Sequence, residues 1–188
     1  MEISPKLIKD CMRSDRKAQF QLYKSCFSLL MGICRRYHSN ENDAAAIMNQ
    51  GFMKILTNIK KYRPEIPFEA WARKVMINTL IDEFRKTRKV KELMETVDFS
   101  EGQWEESGIF DWNHAEQAFD ADQLKSYIHQ LPPVSRKVFN LYAIDGYKHA
   151  EIAELLNISM GTSKWHLSFA RKKLQEMLQK ALNESKVS

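Results

Sequence analysis

Apolar residues along this chain recur every three or four positions, and no strand-like alternation is sustained anywhere. That spacing marks one face of an α-helix. From Arg16 to His38, Phe20, Tyr23, Phe27, Leu30, Met31 and Cys34 keep it, predicting a long amphipathic helix with this stripe in a core. The polar break His38-Ser39-Asn40 ends the run. A second helix is expected from Asp43, with Ile47, Met48, Phe52, Ile55, Leu56 and Ile59 inward. Arg63-Pro64-Glu65-Ile66-Pro67 then interrupts helicity, because each proline disfavours a helical residue before it. A third long helix is expected from about Phe68 to Arg88, with Trp71, Val75, Asn78, Asp82 and Arg85 on one narrow arc.

The segment Leu131 to Met177 predicts three further helices. Pro132 and Pro133 suit a first helical turn, where their missing N–H groups would have no partner anyway. Val134, Val138, Leu141 and Tyr142 follow at helical spacing, and Asp145-Gly146 supplies turn chemistry. Ile152, Ala153, Leu155 and Leu156 form the inward face of the next helix. Asn157 tolerates the left-handed conformation needed to leave it, and Ser159 can cap its successor.

That last helix has two faces. Leu167, Ala170, Leu174, Met177 and Leu178 form an apolar arc; Lys164, Trp165, Ser168, Arg171 and Lys172 form another, about 120° wide. An isolated helix of this kind would be read as carrying a solvated basic face. The preceding tight turn and the small Ala153 at the helix crossing favour a helix-turn-helix that enters a DNA major groove. The whole chain is expected to be all-α: two small helical domains joined by a flexible acidic linker, the second domain with the helix-turn-helix.

Charge sharpens this picture. From Glu92 to Asp122 there are ten acidic and no basic residues, so the rest of the chain holds +15 against a net +5. Two basic lobes either side of an acidic connector suit polyanion binding better than the net charge suggests. The connector contains Gly102, Ser107 and Gly108 and no helical stripe, and reads by default as a disordered tether with Trp104, Ile109, Phe110 and Trp112 as anchors. The expected boundaries are residues 1–90, 91–122 and 123–188.

The motif LPP…R…F.LY…GY.H.EIAELL.IS.GTSK…L..AR..L resembles the −35-binding region of bacterial sigma factors, most of all the extracytoplasmic-function group. DAAAIMNQGFMKIL resembles that family's segment for docking on core RNA polymerase, and FEAWARKVMINTLIDEFRKTRK its segment for opening and reading the −10 element. The resemblance implies a promoter-specificity subunit, not an enzyme and without a cofactor, with core polymerase, promoter DNA and an anti-sigma factor as partners. It implies −35 contacts from Arg136, Thr162, Ser163, Lys164, Trp165, Ser168, Arg171 and Lys172. For −10 contacts it implies Arg63, Phe68, Trp71, Asn78, Asp82, Arg85 and Arg88; for docking, Asp43, Ile47, Gln50 and Lys54. Bland alternatives stand beside these: Trp71 as core, and Asp82 paired with Lys86 one turn later. The family also suggests that the connector threads the polymerase's RNA exit path. Trp165 and Phe169 depart from the family, standing where smaller or basic residues are usual.

The rival reading is a stand-alone helix-turn-helix regulator whose amino-terminal domain senses a ligand or dimerises. A hydrolase is disfavoured: His38, His114, His129, His149 and His166 are scattered without metal-ligand spacing, and no nucleophile-elbow motif occurs. His149 and His166 read as helix-surface residues. Cys11, Cys26 and Cys34 lack paired spacing, and Cys34 reads as a buried reduced thiol. The start MEISPKLIKD has no basic-then-apolar run, and Cys26 to Cys34 is too short to cross a bilayer. A cytoplasmic location and no small-molecule substrate are expected.

Overall fold

The computed structural model describes residues 3–92 and 120–185, with side chains at 3–87, 120 and 122–184. The connector expected at 91–122 falls almost wholly outside the described residues. Among the described residues all regular structure is helical, and the chain divides into two compact units, Met1–Glu95 and Thr96–Ser188.

In the first unit, α1 (Pro5–Met12), α2 (Arg16–Tyr37), α3 (Glu41–Asn58) and α4 (Phe68–Glu92) each start at an identifiable signal. The Ser4 hydroxyl accepts the Leu7 N–H at 3.2 Å, and Pro5 occupies the first turn of α1. Asp15 accepts the Ala18 N–H at 2.8 Å to open α2, after Ser14 takes a left-handed turn at φ 64°. Helix α3 begins two residues before the expected Asp43, because Asn40 accepts the N–H groups of Asn42 and Asp43 and so caps the turn that contains them. The short α1 was not anticipated by the apolar pattern, since it offers a single turn, Leu7, Ile8 and Cys11, to the core.

Helix α2 packs against α1, α3 and α4, and α3 against α4. Leu22, Leu30, Ile33, Met48, Ile55, Met76, Ile77, Leu80 and Ile81 are fully enclosed, each burial contributing about 1.5–3 kcal/mol before entropy. Gly51 brings α3 and α4 close: a Cβ there would sit 2.4 Å from Met76 Sδ. The α2 stripe differs from expectation. Leu30, Met31 and Cys34 are buried as expected, but Phe20 and Phe27 are 62% and 42% exposed, and Ala18, Leu22, Cys26, Ile33 and Tyr37 complete the buried set. Phe27 instead packs on Tyr23 at 5.8 Å between centroids, and Tyr23 meets Phe52 of α3 at 5.0 Å.

The second unit contains α5 (Ala121–His129), α6 (Pro133–Phe139), α7 (His149–Leu156) and α8 (Met160–Ser185). Helix α6 runs into a π-helical turn at Asn140–Ile144, closed by the Asp145 N–H donating to Asn140 O at 2.9 Å and by Gly146 at φ 76°. Asn157 leaves α7 at φ 53°, ψ 53°, and the Ser159 hydroxyl accepts the Thr162 N–H at 2.9 Å to open α8. The sharp α7–α8 corner is therefore made by local chemistry. Leu131, Ala170 and Leu174 form a core joined by Tyr127, Ile128 and Phe139; Ile152, Leu156, Leu167 and Leu178 are also buried.

Candidate nucleic-acid interface

Helix α8 keeps its buried arc to one side, with Leu167, Ala170, Leu174 and Leu178 enclosed and Met177 half-buried. On the outer side Lys164, Arg171 and Lys172 are exposed and Ser168 is half-exposed. Tyr142 stacks on His149 at 4.6 Å between centroids, and the Arg171 guanidinium carbon lies 5.7 Å from the Tyr142 ring. This holds one cation of the face against an aromatic plane.

Ser163, Thr162 and Arg136, also −35 candidates, are engaged within the unit. Ser163 is completely buried, its hydroxyl 2.9 Å from His149 Nδ1. Thr162 is half-buried with its hydroxyl 2.8 Å from that of Ser159, inside the capping turn. Arg136 is half-buried and donates from Nη1 to the His129 carbonyl at 3.0 Å, bracing α5 against α6. Burial holds its guanidinium pKa below the usual arginine value. Trp165 stacks on Phe169 at 5.4 Å with its indole nitrogen buried. His166, expected at the surface, is buried, with Nδ1 2.9 Å from the Ser135 hydroxyl; it ties α6 to α8. His149 is half-buried, and burial, Lys164 and Arg171 hold its pKa below 6.5. Neither histidine–serine pair was legible in the sequence, because 14 and 31 residues separate their members.

In the first unit, Tyr62, Phe68 and Trp71 form one aromatic cluster with centroids 5.2 to 5.5 Å apart, beside the loop at 62–67. Phe68 is buried, and Tyr62 and Trp71 are half-exposed. The Tyr62 hydroxyl donates to Ile66 O at 2.7 Å, tying the loop to itself. Tyr62 was missed by sequence reasoning; the signal available was an aromatic directly before the proline-bounded break. Arg63, Asn78 and Arg85 are exposed, and the Arg88 side chain lies outside the described residues. Asp82 pairs across helices with Lys54 at 2.9 Å rather than with Lys86. A docking candidate and a −10 candidate thus share one ion pair between α3 and α4.

On α3, Asp43 and Gln50 are exposed with Lys54, whereas Ile47 is buried. Met53, 60% exposed in the same stripe, was absent from the expected set. At the head of the helix Arg35 grips Glu41, and that hydrogen bond holds the Glu41 carboxyl below the usual range. All three cysteines are free and buried, and burial pushes Cys26 and Cys34 up to about 12. No group of metal-ligating side chains occurs among the described residues. No described helix is long and apolar enough to cross a membrane.

The geometry is that of an all-helical protein, among the described residues, whose helix-turn-helix carries a cationic outer face suited to DNA. Comparison with known proteins places it further. Sigma-70 region 2 matches residues 22–90 and Sigma-70, region 4 matches residues 121–174. The RNA polymerase sigma-H factor of Pseudomonas aeruginosa is 23% identical, covering 98% of both chains. The ECF RNA polymerase sigma factor SigW of Bacillus subtilis is 29% identical over 92% of this chain and 95% of its own. A solved structure of the sigma factor RpoE in complex with the anti-sigma factor NepR from Bartonella quintana has a related fold, with a TM-score of 0.51 at 18% identity. It covers 85% of this chain and 95% of that one. The chain belongs to the sigma-70 family, in its extracytoplasmic-function group. It is a promoter-recognising sigma subunit that joins core RNA polymerase and directs initiation through the −35 and −10 elements.

Proposed function

We propose the following division of that work among residues. Helix α8 enters the −35 major groove with Lys164, Ser168, Arg171 and Lys172 toward DNA, while Ser163 and Arg136 brace the helices behind it. The observation that carries this reading is that α8, set by the α7–α8 corner, buries one arc and exposes Lys164, Arg171 and Lys172 outside it. Lysine and arginine at that face can bond guanine edges or phosphates.

Residues 1–90 dock on core polymerase and handle the −10 element, residues 91–122 connect, and residues 123–188 carry the −35 reader. The exposed stripe Asp43, Gln50, Met53 and Lys54 on α3 supplies the docking face. Tyr62 and Trp71 at the 62–67 loop offer aromatic surface to an extruded −10 base, and Asn78 and Arg85 offer an amide edge and a cation. Arg63, exposed at the start of that loop, and Arg88 complete the proposed −10 set. The protein performs no chemistry of its own and works in the cytoplasm. An anti-sigma factor is a further partner, as the Bartonella relative is found in complex with one.

Reconstituting core polymerase with this chain and sequencing the transcript starts defines the promoters. On those promoters, Lys164→Ala should cost about 1–3 kcal/mol and relax preference at one −35 position if the lysine reads a base. A uniform loss with a shallower salt dependence would mean phosphate contact. Unchanged affinity with α8 folded sinks the assignment.

A further inference from the structure

On α8, Trp165 and Phe169 form a partly exposed aromatic pair, and the indole also meets the buried His166 ring edge-on at 4.8 Å. Counted at 100° per residue, both lie on the side of α8 facing away from Ala170 and Leu174. Yet they stack on each other, nearly parallel at 16° with centroids 5.4 Å apart, and remain partly exposed. The indole nitrogen is buried, so the pair presents carbon surface rather than a donor. Exposed Lys164 precedes the pair along the helix and exposed Lys172 follows it. A flat apolar surface edged by cations, on a helix shaped for a duplex groove, matches one base-edge feature. That feature is the C5 methyl of thymine, which projects into the major groove and has no polar competitor for such contact.

We infer that the Trp165–Phe169 stack is a specificity determinant that reads thymine methyl groups in the −35 element. The inference rests on α8 being the −35 reader. The flanking cations favour nucleic acid over an apolar protein partner, because they would lose hydration against a neutral surface. Base stacking by the rings is excluded in a paired duplex, whose base faces are covered. The pair also explains its own chemistry: a cationic side chain at Phe169 would favour guanine edges, and two rings instead favour thymine.

The test replaces each thymine of the −35 element, on either strand, singly by deoxyuridine, which removes the methyl and keeps every hydrogen bond. Affinity is measured for core polymerase reconstituted with the full chain. At one or two positions the loss should be about fourfold each, the equivalent of one buried methylene. Phe169→Ala and Trp165→Ala should lower affinity for the thymine promoter and erase the thymine–deoxyuridine difference. The scan on the parent protein needs no variant, so it stands even where an alanine variant fails to fold. If deoxyuridine is tolerated everywhere while base-pair changes in the −35 element still weaken binding, methyl reading is overturned and the −35 assignment of α8 survives. If binding ignores the −35 sequence altogether, both fall. A methyl effect that persists undiminished in both alanine variants takes the role away from this pair.

Discussion

Ser163 and Lys164 are adjacent in the chain and opposite in fate. The serine is sealed against His149, and the lysine faces solvent. His149 is the more telling member of its pair, since burial first and then Lys164 and Arg171 oppose its protonation. Its folded pKa lies below 6.5, the value it regains on unfolding. Below that pH the unfolded chain binds the extra proton, so His149 should cost stability as pH falls through 6.5 toward its folded pKa. Above 6.5 both states are neutral and the contribution is flat. Thermal melting of the chain from pH 7.5 to 5.5 should show this slope, and His149→Gln should reduce it. An equal slope in parent and variant would remove His149 from the account.

At the scale of elements, α8 is both a core helix and a DNA-reading face, and substitutions should separate the two. Leu167→Ala deletes a buried side chain and should destabilise the second unit by about 2–5 kcal/mol. Ser168→Ala, on the outer side, should shift stability by no more than about 0.5 kcal/mol. Chemical denaturation of the chain followed by helical signal checks both. Equal effects would mean that the two arcs are not energetically distinct. Helices α3 and α4 are coupled more directly, through Lys54–Asp82. A charge reversal at Lys54 would set a carboxylate against Asp82, so docking is better probed at Asp43, Gln50 and Met53.

For the whole molecule the relevant asymmetry is the acidic connector between two basic units. If its carboxylates meet a basic polymerase channel, replacing Glu101, Glu105 and Glu106 by Gln should impair productive initiation more than promoter binding. The difference should shrink at high salt, since mobile ions screen exposed charges. Run-off transcription beside promoter-binding titrations across a salt series provides the measurement. Identical yields for mutant and parent at every salt concentration would leave only a passive tether.

Local chemistry in the sequence determined the helices, their caps and the α7–α8 corner: Asn40, Asn157 and Ser159 act on backbone groups a few residues away. Periodicity likewise identified the two arcs of α8, because a single helix geometry relates its positions. Which side chains meet across helices was decided only in three dimensions. Phe20 and Phe27 kept core spacing but stayed exposed, because burial depends on how closely neighbouring helices approach. His149 with Ser163, His166 with Ser135, and Lys54 with Asp82 are distant in sequence and joined by packing. Periodicity gives the face on which a residue stands; only tertiary packing determines what that face touches, because contact depends on the approach of a second element.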